Sequence, residues 1–135
     1  MAGTFKFELI SPERILMTVD ADQVRLPGAD GDFTVLAGHS PVIANLRPGT
    51  LDVKSGNDST RIFVRSGFAD VQPDGLTVLA KGAVEVAELS GSRLAAEIEA
   101  AETALKGAKD DEARRFAHGA VEELKALGGT GGKGH

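Results

Sequence analysis

His39 stands in Gly38-His39-Ser40-Pro41, and an imidazole beside a hydroxyl is the first place to look for acid–base or nucleophilic chemistry. No second histidine lies near it and no nucleophile-elbow pattern is present, so it reads as a structural or interface histidine. Asp30-Gly31-Asp32 has the opening spacing of a calcium loop but lacks the later ligands and the bidentate glutamate, which makes it an acidic turn. The run from Gly128 to Gly134 imitates a phosphate loop. It fails because Gly134 stands where Ser or Thr is required and no helix can follow. His118 and His135 are isolated and have no metal-ligand spacing. Arg114-Arg115 is a charge pair of the kind that usually makes a solvated helix face. The residues point to no catalytic, cofactor or metal site, and therefore to a binding or regulatory module.

Composition narrows the class further. The chain has 135 residues, 41% of them hydrophobic, enough for one core and a small appendage. It has 6 Phe and no Trp or Tyr, so the core must be built mainly of Val, Leu, Ile and Ala. A carbohydrate-binding sandwich would display aromatic platforms that this composition lacks. The 15 basic and 20 acidic residues are dispersed and the net charge is −5, which disfavours nucleic acid as a partner. With no Cys there are no disulfides or thiolate metal sites. No apolar run approaches the ~20 residues that span a bilayer. The first residues alternate like a strand rather than a targeting segment.

Two grammars divide the chain near Leu89. Before it, Phe5, Phe7 and Leu9 share one face of a strand, and Ser11-Pro12-Glu13 makes a turn. Ile15, Met17 and Val19 continue at period two, and pairs follow at Val24/Leu26, Phe33/Val35, Leu51/Val53, Ile62/Val64 and Leu76/Val78, punctuated by glycines and by all 5 Pro. Short strands with frequent turns predict a sandwich or barrel over 1–88. From Leu89 the period becomes helical. Leu94, Ile98, Ala101 and Leu105 form one stripe, and Phe116, Ala117, Ala120, Val121, Leu124 and Leu127 another. Gly107 suits a left-handed helix end and Asp110 a cap for the second helix. The short connection predicts an antiparallel hairpin over 89–127, and the glycine-rich 128–135 a disordered tail.

The hairpin has few large apolar side chains, and alanines fill the rest of its stripes. Each large side chain contributes about 1.5–3 kcal/mol if fully buried. Ordering each backbone residue costs about 1–2 kcal/mol, which hydrogen bonds offset only in part. Such an element depends on docking and is suited to exchange between positions.

Val24 to Gly49 resembles the signature region of bacterial ATP synthase epsilon subunits, whose mitochondrial counterpart is called delta. The matching pieces are Pro27-Gly28, Gly31-Asp32-Phe33, Gly38-His39-Ser40-Pro41 and Pro48-Gly49. The start from Phe7 to Glu13 and the segment Arg65-Ser66-Gly67-Phe68-Ala69-Asp70-Val71 are similar to further parts of that family, in order, over residues 4–127. The resemblance implies an α+β protein, a flattened ten-stranded β-sandwich followed by a C-terminal antiparallel helical hairpin. It implies a non-catalytic rotor subunit that binds the gamma subunit and the c-ring, peripheral to the cytoplasmic face of the bacterial inner membrane. The family's ring contacts map onto Asp32 and His39. Its hairpin can extend to the catalytic head, where Arg114 and Arg115, and more weakly Lys125, would approach the beta and alpha subunits and brake hydrolysis.

One departure bears on nucleotide. Nucleotide-binding relatives carry Ile/Leu-Asp-x-x-Arg-Ala at the start of the first helix. Here Leu89 and Arg93 remain, but Ser90 replaces the Asp and Leu94 the Ala. Glu122 and Glu123 add negative charge where such relatives are basic, which is unfavourable beside a triphosphate. Calorimetric titration with ATP is therefore expected to detect no binding tighter than about 1 mM.

Overall fold

The computed structural model describes residues 3–131. The N-terminal part folds as two five-stranded sheets packed face to face. The strands are β1 (Phe5–Ile10), β2 (Ile15–Ala21), β3 (Gln23–Leu26), β4 (Phe33–Val35), β5 (Val42–Leu46), β6 (Gly49–Ser55), β7 (Asp58–Val64), β8 (Ser66–Gln72), β9 (Gly75–Lys81) and β10 (Val84–Glu85). Sheet 1 runs β2-β1-β9-β8-β5 and sheet 2 runs β10-β7-β6-β3-β4. All pairings are antiparallel except β1 with β9. The fold matches the expected sandwich and hairpin.

The period-two residues build the core between the sheets. Phe5, Phe7 and Leu9 of β1 are buried there with Val24, Leu26, Val35, Leu51, Val53, Ile62, Val64, Leu76 and Val78. Turn chemistry holds the register. Gly56 takes φ +62 as the first central residue of the β6–β7 hairpin, a place that favours glycine. Its N–H donates to the Asp22 carboxylate at 2.6 Å, tying that hairpin to the end of β2.

β7 has apolar side chains on both faces. Ile62 and Val64 enter the sandwich, while Phe63, fully buried, points outward with its cross-strand partner Val84. A buried strand flanked on both sides needs cover on both sides. The cover is the hairpin of α1 (Gly91–Lys106) and α2 (Asp111–Gly131), which follows a single 3-10 turn, Val86–Glu88. Leu89, Ala101, Ala120, Val121, Leu124 and Leu127 close a second core over Phe63 and Val84, with Leu94 and Ile98 half-buried at its edge.

The helix ends differ in part from the sequence expectation. Asp110 does cap α2: its carboxylate accepts the N–H of Ala113 at 2.7 Å. Gly107 is not left-handed. Its φ is −91° and its N–H still bonds the Thr103 carbonyl at 3.0 Å, so it closes the last turn of α1 rather than reversing the chain. Ser90 occupies the N-cap position of α1 without a hydroxyl cap bond. The tail expected from 128 is helical in backbone as far as Gly131. Extending an existing helix needs no new nucleus, so α2 runs on into residues of poor propensity. Residues 132–135 of that expected tail lie outside the described residues.

Phe63→Ala removes the largest side chain of the second core. It is expected to weaken hairpin docking by about 3–5 kcal/mol. Amide exchange across 91–127 should accelerate strongly while exchange in β1 and β9 changes little.

Candidate interaction surfaces

The Pro-Gly motifs are explained by close packing at one end of the sandwich. The backbone of 27–29 runs beside the end of β5: Ala29 N–H donates to Asn45 at 2.8 Å, and Arg47 N–H to Pro27 at 2.9 Å. A Cβ on Gly49 would lie 2.6 Å from the Pro27 ring, and one on Gly28 would run into the Gly31 carbonyl. Both positions therefore require glycine for space rather than for an unusual backbone angle. The result is a pinned loop that carries Asp32 into β4.

Asp32 has two guanidinium partners. Arg47 Nη2 lies 2.7 Å from Oδ1, and Arg25 Nη2 donates to Oδ2 at 3.0 Å. Arg47 also donates through Nη1 to the Gly28 carbonyl at 3.2 Å, so one side chain holds both ends of the loop. The Arg47 hydrogen bond is the main cause holding the Asp32 carboxyl below its ordinary 3.8; partial burial opposes this, and the Arg47 charge and Arg25 reinforce it. The patch thus presents two cations and one anion, not a lone carboxylate.

His39 lies beyond the other end of β4. Its N–H bonds the Leu36 carbonyl at 3.1 Å, Gly38 N–H bonds Pro73 at 2.8 Å, and the imidazole Nδ1 meets the Ser40 carbonyl at 2.7 Å. The structure does not bring Asp32 and His39 together. They flank opposite ends of the edge strand of sheet 2.

On the hairpin, Arg114 pairs with Asp111 at 2.9 Å, one turn back, and Lys125 links α2 to Glu102 of α1 at 3.7 Å. Arg115 is exposed above a cleft that also contacts Arg47, Pro48 and Glu123. Arg93 is flanked by Glu97 at 3.4 Å and Glu88 at 3.9 Å, and Leu89 is buried in the second core. Among the described residues no group of three or more His, Cys, Asp or Glu is placed to hold a metal ion.

Sequence reasoning missed a surface. Phe68, Leu79, Ile10 and Ile15 lie in cross-strand register across β8, β9, β1 and β2 on the outer face of sheet 1. Ile15 is 58% exposed, Phe68 40% and Leu79 37%, and Ile43 on the adjoining β5 is 71% exposed. The signal was available: each of Ile10, Phe68 and Leu79 is apolar but out of phase with the buried residues of its strand. Contiguous exposed apolar surface marks a contact with another protein.

A sandwich whose own hairpin covers the Phe63 and Val84 end of one outer face, and whose other outer face carries an open apolar row, has the features of a protein-binding module. The chain belongs to the delta/epsilon chain family of ATP synthases, the beta-sandwich domain of which matches residues 4–86. It is 44% identical over 128 residues to the ATP synthase epsilon chain of Parvibaculum lavamentivorans, covering 94% of this chain and 97% of the relative. It is 42% identical over 131 residues to the epsilon chain of a Chelativorans species, covering 96% and 97%. Its fold is also that of a chain in the Euglena gracilis mitochondrial ATP synthase OSCP/F1/c-ring structure, with TM-score 0.70, 23% identity and coverage of 94% and 81%. A chain of the Tetrahymena thermophila central stalk/c-ring structure superposes with TM-score 0.65 at 12% identity, covering 90% and 94%.

The ion-paired state of Asp32 contributes stability above the unfolded carboxyl pKa, and loses it as pH falls through the lowered folded value. Asp32→Asn should therefore melt below the wild type at pH 7. The difference should shrink below about pH 4, as melting curves at both pH values would reveal.

Proposed function

We propose that this chain is a non-catalytic subunit of the central stalk of a proton-translocating ATP synthase, joining the gamma subunit to the c-ring. The observation that carries this reading is the apolar row on sheet 1. A rotor clamp needs a large dry contact that transmits torque, and Phe68 and Leu79 are suited to be its anchors. On this reading ATP chemistry belongs to the catalytic head and this chain couples it to the ring. Attachment to the cytoplasmic face of a bacterial inner membrane is peripheral, through the ring; no helix among the described residues is long and apolar enough to cross a membrane.

Asp32 and His39 are the candidate ring contacts. Because they flank β4, a ring surface that meets both must run along that edge strand. Asp32 is already engaged by Arg25 and Arg47, so its use there is to fix register rather than to add affinity, as expected for a partly exposed pair. The docked hairpin is the non-braking state. Extension along gamma would present Arg114 and Arg115 to acidic segments of the beta and alpha subunits. The carboxylates flanking Arg93, together with Glu122 and Glu123, support weak or absent ATP binding in the docked state.

The test is add-back to a cognate epsilon-depleted catalytic head, using the full chain, a chain truncated after Leu89, and Phe68→Asp. The full and truncated chains should both bind gamma, and only the full chain should slow hydrolysis. Phe68→Asp should bind roughly thirtyfold more weakly, as for the loss of an interface anchor. Failure of the full and truncated chains to bind gamma would overturn the proposal; binding without slowed hydrolysis would remove only the brake.

A further inference from the structure

The hairpin is anchored at its base and held off the sandwich at its tip. Its buried residues stop at Ala101 on α1 and Ala120 on α2, and from 102 to 119 no apolar side chain is buried. Beneath this tip is a cleft of about 530 Å³, floored by alanines of both helices, among them Ala104 and Ala113, and by half-buried Phe116. Phe116 also borders two flanking clefts of about 620 and 580 Å³, so the largest apolar side chain of the tip has open space on several sides.

The rim of the first cleft carries Arg65, Lys81 and Lys109 and no carboxylate. Arg65 and Lys81 are adjacent because Arg65 N–H donates to the Lys81 carbonyl at 3.0 Å. The Arg65 side chain lies across Gly82, where φ is +67 and a Cβ would meet the guanidinium. None of the three cations has an ion pair or side-chain hydrogen bond among the described residues. Asp110, Asp111 and Glu112 follow Lys109 directly in the chain, and Asp110 and Glu112 line the neighbouring cleft that shares Phe116. In a chain of net charge −5, three cations without ion pairs around an apolar hollow are a charge cluster suited to carboxylates.

From this we infer that the cleft under the hairpin tip docks an acidic segment of a neighbouring subunit, its carboxylates meeting Arg65, Lys81 and Lys109 and one apolar side chain seated against Phe116. The inference rests on the subunit reading above and adds a contact on the hairpin side of the sandwich, away from the sheet 1 face. Occupancy would hold the tip down, because the occupant bridges the β7–β9 end of the sandwich and the hairpin turn.

Zero-length carbodiimide coupling on the purified cognate complex, followed by peptide mass spectrometry, tests it without altering the chain. Lys81 or Lys109 should form an amide with an Asp or Glu of a neighbouring subunit, well above the yield at exposed Lys54. In parallel, Arg65→Glu with Lys81→Glu should abolish coupling at Lys109 while the variant still co-purifies with the complex through sheet 1. If the lysines couple only to this chain's own carboxylates or to a second copy while the chain is present in the complex, the cleft inference fails and the subunit reading stands. If the chain is absent from the complex, both fail.

Discussion

Phe63 needs a cover. It is the penultimate residue of β7, whose Ile62 and Val64 already fill the sandwich, and it projects from the opposite face with Val84 beside it. Left in water, that face would be an apolar surface on a sheet already closed on its other side. The hairpin removes it from water, and the second core of Leu89, Ala120, Val121, Leu124 and Leu127 is what holds the helices to the protein. Their path, the short 3-10 link and the burial of Leu89 follow from that one requirement.

The same requirement makes the molecule asymmetric. The helices cover the Phe63 and Val84 end of sheet 2, whereas the outer face of sheet 1 keeps Phe68, Leu79 and Ile15 exposed. The apolar row of sheet 1 is thus available to another protein without rearrangement, and Phe63 and Val84 only if the helices leave. The second core is small and rich in alanine, so its burial energy per ordered residue is low. On the proposed reading, a clamp on sheet 1 and an arm that exchanges position would be compatible in one small chain because the two faces differ in this way.

The loops at one end of the sandwich show how a motif becomes geometry. Gly28 and Gly49 are small because Pro27 and the Gly31 carbonyl occupy the space where a side chain would go. The loop they permit brings Asp32 to Arg25 and Arg47. Its rigidity comes from these backbone and guanidinium contacts, while the ion pairs themselves, partly exposed, contribute modestly to stability.

Much was legible in the sequence because it is local. Period-two burial placed Phe5, Phe7, Leu9, Leu76 and Val78 in the core, the change of period near Leu89 located the hairpin, and Asp110 declared itself as a cap. Side-chain direction along a strand or helix follows from backbone geometry alone, so such patterns survive without knowledge of the fold. The structure alone decided what depends on contacts between distant segments. It decided that Phe63 faces a second core, that the out-of-phase Ile10, Phe68 and Leu79 align into one row, and that Asp32 is held by two arginines. It also separated His39 from Asp32 across β4. Cross-strand register and charge partners are set by which strands become neighbours, and that is determined by packing the whole chain rather than by any segment of it.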